Sequence, residues 1–117
     1  MPTDQKIDYL ELPAVDLDAT KSFYSKAFGW TFKDYGEEYC EFTDNKLRGG
    51  FYISEQTSST ENGSALVVIY AEDLEKTLKT VIASGGAIVR PIFSFPGGRR
   101  FHFSDPNGNE LAVWSNN

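Results

Sequence analysis

The single histidine, His102, stands between Phe101 and Phe103, with Arg100 and Ser104 two residues away on either side. If the two phenylalanines pack inward, strand alternation turns Arg100, His102 and Ser104 the other way, into any cleft the fold provides. An imidazole so placed could transfer a proton or ligate a metal, or simply serve as a structural hydrogen-bonding residue. Proton transfer needs a partner that sequence does not place. Just before it, Pro96-Gly97-Gly98-Arg99-Arg100 reads as a hairpin turn carrying two cations, with glycines that let a ligand's anionic group approach. It lacks the following helix and the lysine spacing of a phosphate-binding loop. The lone Cys40 has no partner for an intramolecular disulfide and reads as a small buried hydrophobe.

The chain that positions these groups has 117 residues, 40% of them hydrophobic, enough for one compact core and too few for two independent globular domains. Nine Phe, six Tyr and two Trp exceed what a minimal core needs, so some of them should line a cavity or an interface. Seventeen acidic against eleven basic residues give a net charge of −6, which repels phosphate backbones and argues against nucleic-acid binding. No apolar run approaches the roughly 20 residues that a membrane-spanning helix requires. A single cysteine and no charged-then-apolar leader point to a cytoplasmic setting.

Ile7 to Ala14 reads as a strand. Asp16 is the helix cap, a helix runs from Leu17 to Phe28, and Gly29 is its left-handed stop. Strand-like runs follow around Trp30 to Lys33, Glu38 to Thr43 and Gly50 to Ser54. The same order then recurs: Ala65 to Ala71, the cap Asp73, a helix carrying Leu74, Leu78, Val81 and Ile82, a stop at Gly85-Gly86, and runs around Ala87 to Pro91, Arg100 to Ser104 and Glu110 to Ser115. Asp16 and Asp73 differ by 57, as do Gly29 and Gly86, whereas Asp44 and Asp105 differ by 61. The pattern predicts an α+β fold of two tandem βαβββ modules, 5–54 and 64–115, joined by the polar linker 55–63, within one domain spanning 1–117. Each module should cover one face of a curved mixed sheet with its helix and leave the other face bare, so that the modules share a cleft.

Leu12-Pro13-Ala14-Val15-Asp16, Phe23-Tyr24, Phe28-Gly29-Trp30, Gly85-Gly86 and Asp105-Pro106-Asn107-Gly108-Asn109-Glu110-Leu111, in this order and spacing, resemble the vicinal oxygen chelate superfamily of glyoxalases, bleomycin-resistance proteins and extradiol dioxygenases over essentially the whole chain. The resemblance implies the paired-module fold and a homodimer, and in the enzymes a divalent metal on His, Glu or Gln ligands. The ligand positions it implies fall here on Tyr9, Leu66 and Ala112, with Phe51 as the least secure of the four. None is a usual ligand in this family, and Leu, Ala and Phe offer no lone pair. The standard metal centre is therefore expected to be missing, with no cofactor in its place.

With Tyr9 in the cleft, alternation puts Glu11 beside it as a buried carboxylate able to act as a base or to meet a cation, or as a rim residue satisfied by water or a nearby arginine. The repeat places Glu41 opposite His102 and Tyr39 opposite Arg100, and Trp114 shares the parity of Ala112 and Glu110. Catalytic candidates are thus Glu11 and His102; ligand-binding candidates are Tyr9, Tyr39, Glu41, Phe51, Tyr70, Arg100 and Trp114. Three functions fit: a metal-free binder of a small organic molecule, with a cationic one favoured by the acidic surface; a metal-dependent lyase, isomerase or dioxygenase whose ligands have moved to His102 with Glu11, Glu41 or Glu110; and a non-catalytic interaction module.

Overall fold

A computed structural model describes residues 2–117. The first module is β1 (Tyr9–Ala14), α1 (Leu17–Phe28), β2 (Thr31–Asp34), β3 (Tyr39–Thr43) and β4 (Arg48–Ile53). The second is β5 (Val67–Tyr70), α2 (Leu74–Ala83), β6 (Ala87–Phe95), β7 (Gly98–Ser104) and β8 (Glu110–Ser115). Each forms a four-stranded mixed sheet, ordered β1-β4-β3-β2 and β5-β8-β7-β6, with the outer pairs β1/β4 and β5/β8 parallel and the others antiparallel. The predicted α+β arrangement of two βαβββ units is the one observed.

Local chemistry sets the boundaries. Asp16 Oδ1 accepts the Ala19 amide at 3.0 Å and Asp73 Oδ1 accepts that of Lys76 at 3.0 Å, each relieving a free donor of the first helical turn. Gly29 ends α1 at φ 73°, a conformation that a side chain would disfavour. The second helix stops one residue short of the predicted Gly85-Gly86, with Ser84 as its cap. Strand β6 runs on past the predicted Pro91 to Phe95, because as an edge strand with two register breaks it tolerates a proline that lacks an amide donor.

The helix-covered sides of both sheets merge in one core. Tyr24 stacks on Trp30 at 4.5 Å and Trp30 on Phe42 at 4.5 Å, while Phe23 reaches across to Phe103 at 5.8 Å. Cys40 is fully buried there, as its parity predicts. The Asp105–Asn109 turn does more than reverse the chain. Asn107 accepts the amides of Val15 and Asp16 and donates to Thr20 Oγ1 at 2.7 Å, Asn109 donates to the Pro13 carbonyl at 2.7 Å, and Tyr24 donates to Asp105 Oδ2 at 2.8 Å. This buried clasp fixes one module to the other. No helix among the described residues is long and apolar enough to cross a membrane.

Candidate functional site

The uncovered face of the first sheet is organised by register. Glu11, Gly50 and Glu41 lie in one row across β1, β4 and β3, and Leu12, Phe51 and Cys40 in the next row, pointing the other way. Over Gly50 the phenols of Tyr9 and Tyr39 meet at 2.6 Å; Tyr39 donates to Glu11 Oε2 at 2.8 Å and Tyr9 to Glu41 Oε1 at 3.3 Å. Gly50 makes the room, since a Cβ there would fall on the Tyr39 hydroxyl and 2.9 Å from that of Tyr9. Arg48 stands 3.7 Å from Glu41. Desolvation pushes both phenols above the ordinary tyrosine range. For Tyr39 the bonds to Tyr9 and Glu11 add to it, whereas for Tyr9 the Tyr39 bond partly opposes it, so both stay protonated donors at neutral pH. Beside Glu11 a groove of about 660 Å³ runs between Leu10, Leu12, Pro13 and Val67 on one side and the polar linker residues Gln56, Ser58 and Asn62 on the other.

One sequence-based placement is corrected here and one alternative is decided. Phe51 is fully buried in the core, packed on Tyr24 and Phe42 at 5.4 Å each, and not in the cleft. The repeat offset explains the error: Glu41 and His102 differ by 61, but the residues opposite them across the ladder, Gly50 and Ala112, differ by 62 because the second turn is one residue longer. The open-face position is therefore Gly50. Of the two readings of Glu11, buried carboxylate or rim residue, the structure favours the rim: Glu11 is exposed, on a strand with no neighbour on its outer edge.

On the second sheet His102 is 4% exposed, flanked by the core residues Phe101 and Phe103 as predicted. Its Nδ1 lies 2.6 Å from Glu110 Oε2, and the other oxygen of Glu110 accepts the Thr60 amide at 3.0 Å and the Thr60 hydroxyl at 2.8 Å. Burial works to raise the Glu110 carboxyl, but the bonds from His102 and Thr60 prevail and hold it below the usual carboxylate range. Arg100 lies 5.3 Å from the Phe93 ring and 5.4 Å from the Phe95 ring. Tyr70 and Trp114 meet edge to face at 5.0 Å, and the Tyr70 hydroxyl donates to Asn116. Arg99 turns away to Glu75.

The structure thus brings Tyr9, Glu11, Tyr39 and Glu41 together on one sheet and Arg100, His102, Tyr70 and Trp114 on the other. No hydrogen bond among the described residues joins the two groups, and the partner of His102 is Glu110, not Glu11 or Glu41. Gly50, Tyr52, Arg90 and Phe93 escaped the sequence reading; a correct register for β3 and β4 would have exposed the first two.

The usual ligand positions are poorly suited to a divalent metal. The positions where the resemblance implies ligands hold Tyr9, Leu66, Gly50 in place of Phe51, and Ala112, and three of these four supply no donor side chain. Among the described residues no three of His, Cys, Asp and Glu converge on a common point.

Residues 6–113 match the family model described as the Glyoxalase/Bleomycin resistance protein/Dioxygenase superfamily. A glyoxalase-related enzyme from Fulvimarina pelagi superposes with a TM-score of 0.79 at 20% identity, over 95% of this chain and 88% of its own. The fosfomycin resistance protein FosX from Listeria monocytogenes, solved as a mutant with Mn(II) and a dihydroxypropylphosphonic acid, superposes with a TM-score of 0.78 at 14% identity, over 96% and 90%. The Mycobacterium tuberculosis protein CFP32, whose name contains the word glyoxylase, is 24% identical over 130 residues, covering 94% of this chain and 45% of the relative. The chain therefore spans about half the length of the curated relatives it matches.

Proposed function

The chain belongs to the Glyoxalase/Bleomycin resistance protein/Dioxygenase superfamily, and on that premise we propose that it binds a small organic cation without a metal, on the Tyr9–Tyr39–Glu11–Glu41 face. The observation that carries this reading is the phenol pair closed over Gly50, with two carboxylates at its edges, where the metal-dependent relatives are expected to hold a metal. Electron-rich rings and carboxylates attract an ammonium or guanidinium group, and the adjoining groove, part apolar and part polar, leaves room for the rest of a small organic molecule. The net charge of −6 favours encounter with cations.

Benzyltrimethylammonium chloride is the probe. Isothermal titration should give saturable 1:1 binding, and Glu11→Gln should weaken it about tenfold, the effect of losing about 1.4 kcal/mol of charge interaction. Unchanged affinity in that variant would remove the site from this face.

The same reading includes a homodimer. Strands β1 and β5 are edge strands among the described residues, and Ile53, Val68 and Tyr70 are exposed apolar or aromatic groups that a second copy would cover. Sedimentation should give a species of twice 13.1 kDa. A monomer at micromolar concentration would contradict it.

A further inference from the structure

We propose that the uncovered face of the second sheet is a separate binding site for an organic carboxylate, held between His102 Nε2 and Arg100 Nε against the rings of Phe93, Phe95 and Trp114. Among the described residues only two buried side-chain nitrogen or oxygen atoms lack a hydrogen-bond partner, and they are these two. They belong to neighbouring same-face positions of β7, so their side chains stand side by side. A buried polar group without a partner costs about 1–3 kcal/mol. Two such groups next to each other, where the other buried polar side-chain atoms of the described residues are satisfied, point to a missing hydrogen-bonding partner.

The charge pattern names the acceptor. Arg99 is paired with Glu75, Arg48 with Glu41 and Lys21 with Asp34, whereas neither Arg100 nor Arg90 has a carboxylate partner among the described residues. Both instead lie over Phe93, Arg90 at 3.7 Å and Arg100 at 5.3 Å. Glu110 is already engaged, one oxygen on His102 Nδ1 and the other on Thr60, so it does not reach Nε2. The guanidinium of Arg100, with no carboxylate against it among the described residues, suits a single carboxyl group. One oxygen of that carboxyl group accepts from Arg100 Nε–H and the other shares a proton with His102 Nε2. Phe95 and Trp114, with ring centres 6.2 Å apart, provide a wall for an aromatic body.

The Phe93 ring lies beside the imidazole, its centre 5.8 Å from that of His102. It sits on the edge strand β6 just past the second of two register breaks, which lie on either side of Arg90. Bulges on edge strands re-aim side chains and leave them loosely tied, so Phe93 and Arg90 can yield to a ligand without disturbing the core. The site differs from the cation site in sheet and in sign of charge, and it stands or falls independently of it.

His102 is the only imidazole in the chain, so its ring resonances are identified without assignment. The full chain is titrated with sodium benzoate at constant ionic strength, with sodium chloride as the reference, and the ring nitrogens are followed by long-range 1H–15N correlation. Benzoate should give a saturable shift that chloride does not. Arg100→Gln, and Arg100→Lys, which keeps the charge and loses Nε, should weaken it at least about tenfold, while Arg99→Gln leaves it unchanged. Equal responses to chloride and benzoate, or unaltered binding in both Arg100 variants, would overturn the proposal. So would a shift of the His102 signals on Glu11→Gln or Glu41→Gln without benzoate, since the acceptor would then be a carboxylate of a second copy.

Discussion

Asp105→Ala should lower the unfolding free energy by about 3–5 kcal/mol, the largest loss expected from a single side chain outside the aromatic core. Asp105 Oδ1 accepts the amides of Asn107 and Asn109 at 2.8 and 3.0 Å, and Oδ2 accepts the Tyr24 hydroxyl at 2.8 Å and Asn109 Nδ2 at 3.3 Å. Truncation leaves the Tyr24 hydroxyl and the amides of Asn107 and Asn109 buried without this acceptor, and leaves the turn tied to α1 by the Asn107–Thr20 bond. Tyr24→Phe removes one of the four bonds and should cost about 1–2 kcal/mol. Urea unfolding followed by far-ultraviolet circular dichroism measures both; a loss below about 1 kcal/mol for Asp105→Ala would mean that the clasp does not hold the modules together. Burial raises the Asp105 carboxyl above 3.8, and the bonds from Tyr24, Asn107 and Asn109 only partly reverse this. The native state therefore binds this proton more tightly than the unfolded chain does. Its contribution to stability is present below the unfolded value and is lost as pH rises through the folded one.

Gly50→Val should abolish most ligand binding while leaving the fold intact. The new side chain would occupy the place of the Tyr39 hydroxyl and press on that of Tyr9, separating the phenols from each other and from Glu11. Two displaced recognition groups at about 1.4 kcal/mol each predict a loss of about a hundredfold in affinity for the ammonium probe. Since the position lies on the open face, the unfolding midpoint should change little. Gly49 provides the contrast: a Cβ there would strike the Leu10 carbonyl and the Phe42 ring, so Gly49→Ala should damage the fold itself. If Gly50→Val binds the probe normally, the phenol pair is not the recognition element.

Much of this architecture was legible because it depends on short-range chemistry. The caps Asp16 and Asp73, the stop at Gly29 and the alternation that buries Leu12 and Cys40 while turning Tyr9 outward are all decided within a few residues. Phe51 was misplaced because pairing register depends on turn length, and a one-residue difference between the two modules reverses the side-chain direction. The partnership of His102 with Glu110 is a diagonal contact across β7 and β8, which alternation alone does not single out from other carboxylates on the same face. The clasp joins residues 81 to 96 positions apart in sequence, and nothing in the Asp-Pro-Asn-Gly turn signal indicates that its side chains reach the other module. Missing metal donors at Leu66 and Ala112 could be read from residue type. The phenol pair that stands over Gly50 could not, since it needs three strands in register.

The most direct measurement is the calorimetric titration of benzyltrimethylammonium into the full chain, run once in EDTA and once with added manganese or zinc. The account predicts the same dissociation constant and 1:1 stoichiometry in both. Binding that vanishes in EDTA and returns with the metal would contradict it, and would place a metal at the centre of the site.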